Sequence, residues 1–316
     1  MKTSPVSLSI IIPNYNHAAF LPQCLDSVFG QSSPPDAVCV MDDASTDNSI
    51  EIIRSYVERF PRLQLTQNST NRGHLATINQ FLPRLQATHV FILSADDFLL
   101  PGSVEMARAM LSEHPEAGLC LTDTVEVFPD RSQRAICYNL SSAPAFFAPE
   151  KAPAAICGLP LVPQCFLHLD GLRKIGGYPE SLRWHADHFA CAVLALRQGF
   201  CYLPSPGAAF RHHPASYSAQ GMAGDRQRDV MLNFLHCLCR PEFADVKSAL
   251  RDSQVIAIFE RGLLSALWRN PDHRYFLTSS LLARILYRRL RRLIRHPIPG
   301  PVKKWFRARF GRASAP

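Results

Sequence analysis

Between residues 6 and 121 of this chain, short β-branched runs alternate with segments of helical periodicity, and most runs close on a polar or acidic turn. That alternation constrains the fold more than any other feature. Val6 to Ile12 reads as a buried strand stopped by Pro13. Leu21, Leu25, Val28 and Phe29 share one helical face, with Gly30 as the stop. Ala37 to Met41 predicts a second strand that ends at Asp42 and Asp43. Asp47 then caps a helix whose apolar face is Ile52, Ile53, Tyr56, Val57 and Phe60. Leu63 to Thr66, His74 to Leu82 and Thr88 to Leu93 continue as strand, helix and strand. A helix from about Ser103 to Glu113 and a strand from Gly118 to Leu121 complete the series. Elements in this order need right-handed crossovers, so an α/β fold with a mostly parallel, doubly wound sheet is predicted.

Ligands of such a sheet sit beyond the carboxyl ends of the strands. The rule gathers PNYNH (13–17), DDASTD (42–47), NRGH (71–74) and SADD (94–97) along one crevice, with five carboxylates: Asp42, Asp43, Asp47, Asp96 and Asp97. The chain contains neither G-x-G nor G-x-x-x-x-G-K, which excludes a glycine-rich phosphate cradle as the main device. The turn Pro13-Asn14-Tyr15-Asn16 instead supplies an aromatic face and amides, suited to a base or ribose. Carboxylates this close do not all ionise without a cation among them. Mg²⁺ or Mn²⁺ is the economical partner, because it takes one or two protein oxygens and leaves positions for phosphate. Asp96 stands at a strand end where a ligand approaches. Asp47 is expected mainly to cap its helix, and Asp42, Asp43 and Asp97 have an alternative role in anchoring loop backbone.

These motifs together resemble those of the nucleotide-diphospho-sugar glycosyltransferases of the GT-A fold, family 2: PNYN, DDASTD, N-R-G with Asn79 six residues after Gly73, and SADDFLLPG. The resemblance covers about the first 125 residues. It continues more loosely through GGYPESLRWHADHF (176–189) and FRHHPASYS (210–218). It implies that Pro13 and Tyr15 border the nucleotide base beside Asn16, that Asp43 hydrogen-bonds the base, and that Arg72 lies near the base or diphosphate. It makes Asp96 the metal ligand, with Asp97 in support, while His213 reaches the diphosphate or the metal. Ser94 departs from the commoner D-x-D-D pattern, but its hydroxyl remains able to bond a ribose. Asp187, after the GGY segment and in the first turn of a helix that begins near His185, takes the place of the family's general base. Its bland alternative is an acid that complements the helix dipole. A helix start lowers its pKa and a nearby diphosphate raises it, so the sequence leaves the net direction open. His185 and His188 are at most substrate or supporting contacts.

The implied organisation is a GT-A domain over 1–218, with a nucleotide-sugar half (1–125) and an acceptor half (126–218), then a helical extension (219–270) and a basic tail (271–316). The tail carries twelve Lys or Arg against the single acid Asp272, whereas the preceding residues carry 22 basic against 25 acidic side chains. Leu282, Leu286, Leu290 and Leu293 share one helical face and Arg284, Arg288, Arg291 and Arg295 another, with KKWFRARF (303–310) beyond. Such a helix suits an anionic membrane surface, and it is expected to serve the membrane rather than the core. Nucleic acid is the competing partner, disfavoured because the acidic body offers no groove for it. No run approaches about 18 apolar residues, and the run from Leu8 lacks a cleavage site, so a cytoplasmic chain on the inner membrane face is expected. The ten cysteines include no C-x-x-C pair and are expected reduced; His236, Cys237 and Cys239 lack a second ligand pair at zinc spacing.

The expectation is therefore an inverting, metal-dependent transferase. It would move a sugar from a nucleotide diphosphate donor, by implication a UDP-sugar, to a hydroxyl of a lipid-linked or surface glycan. Its rivals are a sugar-phosphate nucleotidyltransferase, disfavoured by the lack of G-x-G near the first strand, and a catalytically silent nucleotide-sugar-binding membrane adaptor, suggested by Ser94.

Overall fold

A computed structural model of the chain describes residues 5–161, 164–212, 221–222 and 226–293. The strands β1 (Leu8–Asn14), β2 (Ala37–Asp42), β3 (Leu63–Gln67) and β4 (His89–Ile92) pair in parallel in the order β3-β2-β1-β4. The helices α1 (Leu21–Phe29), α2 (Ser49–Arg59), α3 (His74–Phe81) and α4 (Ser103–Glu113) alternate with them. Successive strand side chains point to opposite faces, and each face has its own core. Ile10 and Ile12 meet α1, α2 and α4 through Leu25, Ile53 and Val104, while Ile11 faces Ile78 and Phe81 of α3.

The second half departs from simple alternation. After β5 (Phe98–Leu99) come β6 (Leu119–Val127), β7 (Gln133–Ile136), β8 (Ala145–Phe147), the short helix α5 (Ala152–Ala155), β9 (Cys165–His168) and α6 (Leu169–Lys174). Then α7 (Ala186–Gln198) leads into β10 (Phe200–Arg211). The sheet order is β3-β2-β1-β4-β9-β6-β10-β5, with β7 on β6 and β8 on β10. β9 enters antiparallel between β4 and β6, yet six of the eight strands along this path share one direction. β10 is long despite Pro204 and Pro206, which have no N–H to donate, and its register with β6 shifts on both sides of Pro206.

The helices α8 (Gln227–Cys239), α9 (Lys247–Asp252), α10 (Glu260–Arg269) and α11 (Ser279–Leu293) follow. Val230, Phe234, Phe243 and Leu263 extend the core that holds α3 and α7. All ten cysteines are free, and seven are buried.

The last helix corrects one expectation. Leu281 and Ile285 are buried in the core, Arg284 donates from Nε to Gln254 Oε1 (2.6 Å), and Arg288 reaches the Gly158 carbonyl. The helix therefore serves the core through one face, because residues 281 and 285 lie one turn apart and point the same way. Leu282, Leu286 and Leu290 form a second stripe, 40–56% exposed. Leu293 lies at the helix end, and Arg295 and residues 303–310 fall outside the described residues. Ile285→Ala should cost about 2–4 kcal/mol in denaturant unfolding, whereas Leu286→Ala should change stability by no more than about 0.5 kcal/mol.

Candidate functional site

The crevice lies at the carboxyl ends of β1, β2 and β4, where the acids are stitched to backbone and side-chain N–H groups. Asp42 accepts from Ser45 N (3.0 Å), Ser45 Oγ (2.6 Å) and Asn14 Nδ2 (2.8 Å). Asn16 has a left-handed backbone, φ 57°. It fastens the first turn to the second: its amide donates to Ser45 Oγ (3.0 Å) and its Oδ1 accepts from Thr46 N (2.8 Å). Asp47 accepts from Ser49 N (3.0 Å) at the start of α2, as a cap would, and also from Ala18 N (2.9 Å) across the crevice. Pro13 is buried within β1 opposite Met41. Tyr15 projects outward, 43% exposed.

Asp43 is buried and accepts from Asn68 Nδ2 (2.8 Å) and Arg72 N (2.9 Å) on Oδ1 and from Gly73 N (2.8 Å) on Oδ2, with the Thr77 side chain as a further donor. Burial opposes its ionisation, yet these donors outweigh that and hold the carboxyl below its ordinary value. The Arg72 side chain is exposed and bonds Gln80 Oε1.

Beyond β4 the turn Ser94-Ala95-Asp96-Asp97 closes on itself through Asp97 N and the Ser94 carbonyl (2.9 Å). The two acids separate in role. Asp97 is buried, and its Oδ1 accepts from the Arg211 amide (2.8 Å). Burial, and then the Asp96 charge beside it, push the Asp97 carboxyl well above its ordinary value. Asp96 and Ser94 are partly exposed. The hard carboxylate oxygens of Asp96 suit Mg²⁺ or Mn²⁺ completed by phosphate oxygens. Among the described residues no three His, Cys, Asp or Glu side chains converge on a preformed metal site. The arrangement fits a cation that arrives with its ligand. His213 lies outside the described residues. Sequence reasoning passed over His74, which opens α3 within electrostatic reach of Asp96, His17 and Asp43; a lone histidine after N-R-G carries no signal of its own.

The other acid is Asp187, in the first turn of α7 and partly exposed. Burial pushes its carboxyl up to about 6, against the opposing hydrogen bond from His188 N (2.6 Å). The direction that the sequence left open is thus upward even without a phosphate nearby. His185 and His188 are buried and packed against Phe259. Burial lowers them to about 3 and about 4, so both are neutral core groups. Asn79 joins this region to the crevice: Nδ2 donates to the Tyr178 carbonyl (2.7 Å) and Oδ1 accepts from Tyr178 N (2.8 Å). Gly177 is required beside it, since its φ is +76° and a Cβ there would stand 2.4 Å from Asn79 Oδ1.

Residues 9–146 match the family model described as glycosyl transferase family 2. That segment, less than half of the chain, is similar to the family, and the fold is GT-A. Chondroitin synthase of Pasteurella multocida is 30% identical over 132 residues, 42% of this chain and 14% of that protein. An uncharacterized glycosyltransferase of Haemophilus influenzae is 35% identical over 108 residues, 34% of this chain and 43% of the relative. The chain thus aligns with less than half the length of these relatives. Among solved structures, residues 1–349 of S. aureus TarS in complex with UDP-GlcNAc superpose with a TM-score of 0.64 at 18% identity, over 82% of this chain and 73% of that one. The mannosyltransferase PcManGT from Pyrobaculum calidifontis, in complex with GDP-Man and Mn²⁺, gives a TM-score of 0.55 at 17% identity, over 96% and 85%.

The raised carboxyl of Asp187 has a consequence for stability. An acid whose folded pKa exceeds its ordinary 3.8 stabilises the fold while protonated and loses that contribution as pH rises through about 6. Asp187→Asn should therefore raise Tm relative to the parent at pH 7.5 and leave it nearly unchanged at pH 4, read by thermal unfolding at both pH values.

Proposed function

We propose that this protein is an inverting, metal-dependent glycosyltransferase that moves a sugar from a nucleotide diphosphate donor, UDP-sugar by preference, to a hydroxyl of a lipid-linked or cell-surface glycan. The observation that carries the proposal is the pairing of two differently tuned acid sites on one GT-A frame. Asp96 waits at the strand-end turn for a cation and phosphates, and Asp187, poised near 6, opens a separate helix. A general base works best with a pKa near the operating pH.

In this reading the exposed Tyr15 ring lies against the base, Asp43 accepts a hydrogen bond from it, and Arg72 turns toward the diphosphate. Ser94 bonds the ribose. A divalent cation held by Asp96 would neutralise charge on the leaving diphosphate. Asp187 takes the proton of the acceptor hydroxyl as its oxygen attacks the anomeric carbon from the opposite side, which inverts that centre. Asn79 and α3 keep the two acid sites in register.

The test reads binding and turnover separately. Asp96→Ala should abolish the Mn²⁺-dependent part of UDP-sugar binding in a thermal-shift assay. Asp187→Asn should bind donor like the parent yet transfer at least about a hundredfold more slowly. Normal metal-dependent binding by Asp96→Ala would sink the metal assignment. Donor binding without turnover in the parent, with acceptors drawn from cell extract, would favour the silent adaptor.

The C-terminal helices support an anionic membrane surface as partner, and with it a cytoplasmic, peripheral location. Five of the seven large apolar side chains that stand exposed among the described residues lie between 268 and 290: Trp268, Tyr275, Leu282, Leu286 and Leu290. They accompany a strongly basic stretch, the combination that binds acidic headgroups and buries area in the interface. No helix among the described residues is long and apolar enough to cross a membrane. Replacing Leu282, Leu286 and Leu290 together by Glu should leave Tm nearly intact and abolish sedimentation with phosphatidylglycerol vesicles. Undiminished sedimentation would refute the assignment, and retention of the parent on DNA at physiological salt would favour nucleic acid.

A further inference from the structure

Arg211 ends β10 and meets the acid turn from the opposite side of the crevice. Its amide donates to Asp97 Oδ1 (2.8 Å), one guanidinium nitrogen donates to the main-chain carbonyl of Asp96, and another donates to Gln23 Oε1 of α1. The guanidinium also lies over the rings of Phe20 (5.2 Å) and Phe98 (4.8 Å). One side chain thus ties the acid turn to the loop before α1, to α1 itself, to β5 and to β10. The acceptors of the fork are the main-chain carbonyl of Asp96 and the side-chain amide oxygen of Gln23, so the contact grips the turn's backbone.

We propose that Arg211 is a positioning residue that fixes the Asp96–Asp97 turn so that the Asp96 carboxylate is presented to the cation and diphosphate of the donor. The inference rests on the donor reading above and extends it to a residue with no part in the base pocket or in proton transfer. A planar fork between two aromatic rings reaches two acceptors at fixed angles. Lysine offers one compact ammonium on a flexible stem and cannot hold both. The Arg211 amide and, after it, the Arg211 charge also act on the buried Asp97 against the neighbouring Asp96 charge.

The test uses the full chain and reads binding rather than turnover. UDP and GDP are titrated calorimetrically into the parent, Arg211→Lys and Arg211→Ala, each with and without Mn²⁺, and Tm is recorded for each unliganded protein. Arg211→Lys should keep a Tm close to the parent and lose at least about tenfold in Mn²⁺-nucleotide affinity, the cost of one good charge-assisted contact, while metal-free nucleotide binding changes little. Arg211→Ala should lose at least as much, and if it fails to fold, the Lys variant decides. Equal Mn²⁺-nucleotide affinity in the parent and folded Arg211→Lys overturns the proposal, as does a fall in Tm with that affinity unchanged. A parent that binds neither nucleotide with Mn²⁺ overturns the donor reading itself, and that outcome is visible before any variant is compared.

Discussion

The constraint on which the rest depends is the desolvation of carboxylates at the carboxyl edge of the sheet. A carboxylate taken from water is costly unless N–H or O–H donors replace the lost hydration. Asp42, Asp43, Asp47 and Asp97 each recruit such donors from a different segment. Those hydrogen bonds build the loops: the first turn is fastened to the second, the second to the N-R-G segment, and the acid turn to the end of β10. The acids that read as a ligand cluster are thus for the most part the frame that shapes the crevice, with Asp96 presented at its edge.

The helix α3 carries this frame to the second acid site. At its start, Arg72 and Gly73 donate their backbone N–H groups to Asp43; toward its end, the side-chain amide of Asn79 donates through Nδ2 to the Tyr178 carbonyl and accepts through Oδ1 from Tyr178 N. Asp187 follows on α7, whose residues lie in the same core as α3. A partly buried acid that titrates near 6 is an expense to the fold above that pH, of the kind that functional sites tolerate and cores do not. Its two histidine neighbours show the contrast, because they are fully enclosed, neutral and surrounded by Phe234 and Phe259.

The C-terminal helix shows how one amphipathic pattern serves two surfaces. Leu281 and Ile285 face the core while Leu282, Leu286 and Leu290 face outward, and the arginines between them differ in the same way. Arg284 and Arg288 are drawn back onto Gln254 and Gly158, and Arg289 stays exposed. Counting charges along the helix cannot distinguish an arginine that anchors it from one that meets a partner.

Local pattern by itself determined the parallel half of the sheet and its order of elements. Each strand from β1 to β4 is a short apolar run, and each helix carries an amphipathic stripe whose stops are spelled out nearby, as Gly30 and Gly199 do. The position of the crevice followed from that order, and so did Asp187 at the opening of α7. Tertiary structure decided the rest. β9 lies antiparallel between β4 and β6, and no local signal records which strand a segment will pair with. β10 runs through two prolines, whose missing donors are tolerated because bulges re-register the ladder. The resemblance offered Asp96 as ligand and Asp97 as support, but local pattern could not separate two neighbours of identical chemistry; in the assembled chain Asp97 is buried with its Oδ1 on the Arg211 amide, more than a hundred residues away, while Asp96 stays partly exposed at the crevice. Burial and hydrogen-bond partners are properties of the assembled chain, and they alone set whether a carboxylate holds the frame, meets a cation or accepts a proton.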